Sequence, residues 1–184
     1  MHLRYSACIG LPVLDETGEI SLGSISGILI HPDAGKVEGF LLSGSGSSEQ
    51  GTPFFSSLDI VRWGTRVYLR HAGAVGPLEE RIRLAPLLRD RRTILGQAIR
   101  SESGVKLGRC ADVQFTTKSM RIEWLFPRTW FRWAVPLPVS QIVEVNDHAI
   151  IVRDPIIKST VESDKRADAL TLTDLEPTVA TKAL

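Results

Sequence analysis

The sequence predicts a mainly β protein made of two tandem small β-barrels, followed by a flexible tail. Short apolar runs alternate with turns rich in glycine, a pattern typical of all-β folds. The pattern of residues 10–42 recurs at residues 96–126, with Leu22-Gly23 matched by Leu107-Gly108 85 positions later. Such a repeat indicates that one structural unit occurs twice along the chain.

Each copy begins with a strand, a tight turn and a second strand. Gly18 and Gly104 lie in the two turns, where the backbone needs a residue that tolerates positive φ. Gly23 and Gly108 each follow a leucine at the start of the second strand, a position typical of a β-bulge or a barrel corner. We therefore expect the same hairpin in both copies.

The remainder of each copy is repeated as well. Residues 37–41 and 121–125 alternate polar and apolar side chains, which predicts half-buried strands. Two further short strands close each copy, at 57–61 and 67–70 in the first, and at 140–143 and 150–153 in the second. Five or six short strands separated by turns favour a small barrel. We expect the copies to superpose, with Ile60 near Ile142.

Both copies resemble the PRC-barrel family, which includes the photosynthetic reaction centre H subunit and the C-terminal domain of the bacterial ribosome maturation factor. The first copy matches at Gly10, 15–18, 22–25 and 33–37, and the second at Gly96, 101–104 and 107–113. The first copy has Gly27 where the second has Asp112. The resemblance covers roughly residues 8–154. It implies the barrel fold but no catalytic residue, because the family has no shared catalytic motif.

The repeat divides the 184 residues into two domains. We assign residues 1–77 to a first PRC-barrel-like domain, 78–93 to a solvated linker, 94–154 to a second PRC-barrel-like domain and 155–184 to a flexible tail. The serines and glycines of residues 43–51 predict a surface loop. Domains this small bury only about 60% of their unfolded surface. Packing of the two barrels against each other would stabilise both.

Composition argues against several classes of protein. The chain has 22 Lys and Arg against 21 Asp and Glu, whereas a dedicated nucleic-acid binder usually has a large basic excess. Cys8 and Cys110 occupy unrelated places in the two copies, which predicts free buried thiols rather than a metal or redox motif. The apolar runs are far shorter than the ~20 residues that span a bilayer. We expect a cytoplasmic protein without a transmembrane segment.

The sequence contains no recognisable catalytic or metal-binding constellation. Its four histidines have neither an HxH nor an HExxH partner: they are His2, His31, His71 and His148. Asp15, Glu16 and Asp33 lie in turns, and their turn-forming role explains them without acid–base chemistry. We therefore expect a non-enzymatic protein with no catalytic residue, no metal and no cofactor.

Residues 124–133 form the most unusual segment, with three of the four tryptophans, two phenylalanines and two arginines. Arginines among aromatic residues are typical of protein-binding hot spots, single-stranded nucleic-acid platforms and membrane-interface loops. The candidate interaction surface consists of Arg128, Trp130, Phe131, Arg132 and Trp133. If this segment is an extended strand, alternate side chains face opposite ways. One row would then fill the barrel while the other lies outside.

Three functions remain open at this stage. The first is a protein-binding adaptor or scaffold module, whose partner is another protein or a second copy of the chain. The second is an RNA- or ribosome-associated factor similar to the maturation factor, with nucleic acid as a partner. The third is a peripheral membrane protein or an accessory of photosynthetic electron transfer. The second and third rest on the family resemblance, which is an argument by association.

Overall fold

The chain enters the fold through a short strand and one helical turn. The computed structural model describes residues 1–44 and 51–154, so the predicted tail and most of the predicted surface loop lie outside the described residues. Strand β1 (His2–Arg4) precedes helix α1 (Tyr5–Cys8). The sequence places both in the first domain. In the structure β1 instead pairs with a strand of the second sheet.

The first sheet contains seven strands from the first half of the chain. They are β2 (Pro12–Asp15), β3 (Ser21–His31), β4 (Lys36–Ser43), β5 (Pro53–Ser56), β6 (Ile60–Trp63), β7 (Val67–Leu69) and β8 (Gly76–Pro77). Their spatial order is β6-β7-β2-β3-β4-β5-β8. β2 and β7 pair in parallel, and the other neighbours pair antiparallel.

The second sheet contains the strands of the second half. They are β9 (Ala98–Ser101), β10 (Lys106–Thr116), β11 (Ile122–Arg128), β12 (Leu137–Pro138), β13 (Ile142–Val145) and β14 (Ala149–Val152). Their order is β12-β11-β10-β9-β14-β13, with β1 added beside β10. β9 and β14 are parallel, as β2 and β7 are in the first sheet. Along the chain, helix α2 (Ala85–Arg89) comes after β8 and before β9.

Single-turn 3-10 helices occupy the connections. They are Ser57–Asp59, Ala72–Ala74, Leu78–Glu80, Ile82–Leu84 and Val139–Gln141. The first and the last precede β6 and β13, which are equivalent strands, so this connection also recurs in both halves. The predicted mainly β class is confirmed. Among the described residues, hydrogen bonding joins the edge strands of neither sheet, so neither ladder closes on itself.

The two glycines expected at bulges adopt the same unusual backbone conformation. Gly23 has a φ of 124° and Gly108 a φ of 126°. At each, the register of the first hairpin shifts by one residue. A side chain at Gly108 would place its Cβ 2.8 Å from the carbonyl oxygen of Arg128. Both the backbone conformation and the close approach of the neighbouring strand therefore require glycine there.

The turns of the two long hairpins bond to each other. The amide of Val37 donates to the carbonyl of Met120 (2.7 Å), and the amide of Ile122 donates to the carbonyl of Gly35 (2.8 Å). Gly35 has a φ of 56° and Met120 a φ of 53°, so a methionine takes the left-handed conformation that glycine takes in the first copy. These reciprocal bonds link the β3–β4 hairpin to the β10–β11 hairpin.

One hydrophobic core lies behind both hairpins. Phe40 from β4 and Phe115 from β10 are both fully buried, with ring centroids 6.1 Å apart. Trp63 packs edge-on against both, at 5.4 and 6.2 Å. Most of the buried apolar residues form one continuous cluster that contains side chains of both sheets. Residues 1–154 accordingly form one compact unit.

The linker, predicted as solvated, is packed at two of its leucines. Leu78 and Leu84 are buried and form a second, smaller cluster with Phe54 of β5. Arg83 reaches the buried carboxylate of Glu38, with 3.2 Å between Nη2 and Oε2. The prediction is therefore wrong at these positions, because Leu78 and Leu84 pack against Phe54 of the first sheet.

We expect Gly108→Ala to lower the free energy of unfolding by about 2–4 kcal/mol, because alanine is strained at this φ and its Cβ would overlap backbone. Gly64→Ala is the matched control, since the nearest atom to its Cβ would lie 3.8 Å away. The control should stay within about 0.5 kcal/mol of the parent. Urea unfolding followed by circular dichroism measures both. Equal stability of the two variants would contradict the assigned bulge.

Candidate functional site

The candidate surface lies on a short hairpin that projects from the end of β11. We call residues 128–133 the aromatic hairpin. Arg128 and Trp133 form an antiparallel bridge at its base. The amide and the hydroxyl of Thr129 both donate to the carbonyl of Arg132, at 2.9 and 3.1 Å. The chain therefore reverses direction within the segment.

Two large aromatic side chains occupy the tip of the aromatic hairpin. Trp130 is 87% exposed and Phe131 is 84% exposed. Their ring centroids are 6.0 Å apart with planes inclined by 36°, so the rings contact each other. Contact between the rings limits the space each can sample. The tip therefore presents one joined apolar surface rather than two independent side chains.

The prediction that one row of this segment fills the interior is wrong. Trp133 is 56% exposed and Trp124 is 39% exposed, and among the aromatic residues of the segment only Phe126 is largely covered. The alternation rule holds for extended chain, and the chain leaves the extended conformation after Arg128. The core position in this region is taken by Leu125, which is fully buried.

The base of the aromatic hairpin is held from below by Arg4. The guanidinium carbon of Arg4 lies 3.9 Å from the ring centroid of Phe126 and 5.5 Å from that of Trp133. Its Nε lies 2.9 Å from a carboxylate oxygen of Asp112. Cations over aromatic rings and beside carboxylates are attracted to both. Arg4 thus connects the N-terminal strand, β10 and the aromatic hairpin.

Asp112 is a buried carboxylate that holds the N-terminal segment on the second sheet. It is 1% exposed. The hydroxyl and amide of Ser6 donate to it at 2.6 and 3.1 Å, and the amide of Val113 donates at 2.9 Å. Sequence reasoning missed this role. The available signal was the mismatch between Asp112 and Gly27, since only one copy carries a carboxylate at this point.

A groove of about 740 Å³ lies where the Asp33 turn meets the second sheet. Arg92, which lines the groove, pairs with two carboxylates: its Nη2 lies 2.9 Å from an oxygen of Asp33 and 2.8 Å from an oxygen of Asp90. Hydrogen bonding from Arg92 lowers the pKa of both carboxyls. They remain ionised and paired near neutral pH. His148 lies at the edge of the groove, exposed. The arrangement braces the two halves of the fold.

The histidines and carboxylates of the described residues do not converge on a metal site. Across residues 1–44 and 51–154, no three side chains of His, Cys, Asp or Glu come together as ligands. The carboxylate of Asp15 accepts from the amides of Gly18 and Ile20, at 3.1 and 2.9 Å, which is the turn-forming role predicted for it. Within the same ranges, no helix is both long and apolar enough to cross a membrane.

Both cysteines are free and fully buried, as predicted. Desolvation, with a smaller contribution from the charge of Asp112, raises the pKa of Cys8 to about 12 and that of Cys110 to about 12. The thiolate is the reactive form of cysteine. These side chains therefore serve as small apolar core residues at neutral pH.

Comparison with known proteins identifies the family of the N-terminal part. Residues 1–70 match the family of the PRC-barrel domain. The match confirms the predicted family for residues 1–70. No curated protein matches the chain. A second such domain at residues 94–154 stays a prediction, which the repeated strand order supports.

We expect Asp112→Ala to lower the free energy of unfolding by about 2–4 kcal/mol, because the donors from Ser6 lose their partner. Arg4 is partly exposed, which limits the loss. Thermal unfolding followed by circular dichroism measures it. Asp147→Ala is the control, since Asp147 is exposed and should change stability by less than about 0.5 kcal/mol. Equal effects would show that Asp112 does not hold the N-terminal segment.

We expect neither thiol of the folded protein to react with Ellman's reagent at about pH 8, where an ordinary exposed cysteine reacts readily. The raised pKa leaves almost no thiolate, and burial blocks access. In urea, where the protein is unfolded, both thiols should react rapidly, which is the control for the reagent. Release of thionitrobenzoate measures the reaction. Rapid modification of one cysteine in the folded state would contradict the buried assignment.

Proposed function

We propose that this PRC-barrel protein is a non-enzymatic adaptor that binds a protein partner through the aromatic hairpin. The observation that carries the proposal is the exposure of Trp130 and Phe131 at the tip. Tryptophan, tyrosine and arginine dominate the binding energy of protein interfaces. Two exposed aromatic rings beside Arg128 and Arg132 match that composition. A cluster of this kind would be an aggregation liability without a partner.

The structure of the aromatic hairpin also suits binding. Its turn is closed by two hydrogen bonds from Thr129 to Arg132, and its base packs over Arg4. A preorganised surface loses little conformational entropy when it binds. The Trp130 and Phe131 rings already contact each other, so a partner meets a formed surface. An adaptor that catalyses no reaction needs a binding surface of this kind rather than an active site.

Two other functions are weaker candidates. Binding to a membrane surface is favoured by the same tip, because aromatic residues flanked by arginines also occur in interfacial segments. An RNA- or ribosome-associated role is disfavoured by a net charge of only +1. A role in photosynthetic electron transfer rests on family resemblance alone. If the aromatic hairpins of two molecules pair with each other, the protein partner is a second copy of the chain.

The test is the double variant Trp130→Ala, Phe131→Ala. Thermal stability should change by less than about 0.5 kcal/mol, because both side chains are exposed. Affinity for the partner captured from a lysate of the native cell should fall about 30-fold or more, the loss typical of a hot spot. Size-exclusion chromatography with light scattering measures self-association in parallel. Biolayer interferometry with the purified partner gives the affinity.

Ile82→Ala is the matched control, since Ile82 is 88% exposed and lies outside the aromatic hairpin. It should retain full capture of the partner. Equal capture by the double variant and the parent would overturn the adaptor proposal. If the double variant loses binding to lipid vesicles while its capture of protein is unchanged, membrane binding would replace the adaptor function as the proposal.

A further inference from the structure

A second groove lies directly beside the aromatic hairpin, between the ends of β9, β10 and β11. Its volume is about 710 Å³. Four cationic side chains line it, and so does Trp130 of the hairpin tip; the cations are Arg100, Lys106, Arg109 and Arg128. None of the described residues that line it is acidic. We call it the cationic groove. The groove is strongly positive, although the protein as a whole has a net charge of only +1.

The cations of the cationic groove face one another across the strands. Lys106 is directly opposite Arg100, and Arg109 is directly opposite Arg128. Like charges at directly opposed positions repel and destabilise a sheet. In the part of the chain that the structure describes, none of the four belongs to a salt bridge. The four exposed cations are therefore available to an anionic ligand.

The first half of the chain shows that the fold does not require this charge. Ser24 and Ser43 are paired where the second half pairs Arg109 with Arg128, and their hydroxyls share a hydrogen bond of 3.1 Å. Leu14 and Ser21 are paired where the second half pairs two further cations. The same sheet is thus built once with neutral residues and once with four positive charges. A packing requirement does not explain the difference, whereas binding of an anion does.

We propose that the cationic groove binds an acidic, extended segment of the partner protein. This rests on the adaptor function proposed above. Guanidinium groups bind carboxylates with two parallel hydrogen bonds, and three of the four cations are arginines. Trp130 belongs both to the groove and to the hairpin tip, so one partner contacts both surfaces together. A concave site suits a peptide chain better than a flat bilayer, and the balanced overall charge disfavours nucleic acid.

The experiment uses a fluorescein-labelled hexaglutamate peptide as the probe and the full chain as the receptor. Fluorescence anisotropy should show binding at about 50 mM salt that weakens strongly at about 500 mM, because salt screens the charges. Arg109→Ser with Arg128→Ser installs the residues of the first half and should weaken binding at least tenfold. Arg66→Ser with Arg70→Ser is the matched control. It removes the same charge from exposed positions elsewhere and should leave affinity within twofold.

A second variant separates binding from folding. Arg109 also donates to the carbonyl of Gly96 (2.9 Å), so its loss can affect stability. Arg100→Gln with Lys106→Gln removes no side-chain hydrogen bond in the described part of the chain. It should weaken hexaglutamate binding at least fivefold, while its unfolding temperature equals or exceeds that of the parent because opposed charges are removed.

Three results would overturn the inference. One is hexaglutamate binding that neither groove variant changes. Another is variant-sensitive binding to phosphatidylserine vesicles or to a single-stranded oligonucleotide while hexaglutamate does not bind. The third is full capture of the natural partner by both groove variants, with loss of that partner by Trp130→Ala, Phe131→Ala. That third result would leave the adaptor function standing. Loss of the partner by the groove variants alone would instead support the groove and overturn the role of the hairpin tip.

Discussion

The fold depends on the reciprocal hydrogen bonds between the two hairpin turns. Val37 bonds to Met120 and Ile122 to Gly35, which fixes the two long hairpins relative to each other. Phe40 and Phe115 then lie close enough to share one core. Each half alone is small and would bury too little apolar surface for a robust domain. The cost of a left-handed methionine at the second turn is offset by this shared burial.

The features on which function is proposed all arise where the two halves differ. Asp112 replaces the glycine of the first half, and its carboxylate draws the N-terminal strand onto the second sheet. Arg4 comes with that strand and packs beneath Phe126 and Trp133. Arg109 and Arg128 of the cationic groove replace hydrogen-bonded serines. The repeated sheet supplies the scaffold, and a few substitutions in one copy supply a surface that the other copy lacks.

Much of the fold could be predicted because its signals are local. Gly23 and Gly108 mark the bulges, and the alternating residues of β4 and β11 mark half-buried strands. The pairing of β1 with β10 could not be predicted, since Ser6 and Asp112 are 106 positions apart in the chain. The simultaneous exposure of Trp130 and Phe131 was not predicted, for another reason. Side-chain alternation places residues correctly only in extended chain, and the turn at 129–132 has no glycine to reveal it.

Arg128 connects the two surfaces on which function is proposed. It opposes Arg109 across the strands, and its guanidinium carbon also lies 5.6 Å from the ring centroid of Trp133 at the base of the aromatic hairpin. Without a ligand, repulsion from Arg109 favours movement of the Arg128 side chain away from the groove. A carboxylate in the groove would attract both arginines and reduce that repulsion. Occupation of the groove and the environment of the hairpin base are therefore coupled through one side chain. Since coupling between two sites is reciprocal, a partner contact that moves the base of the aromatic hairpin would in turn change the affinity of the groove for an acidic segment.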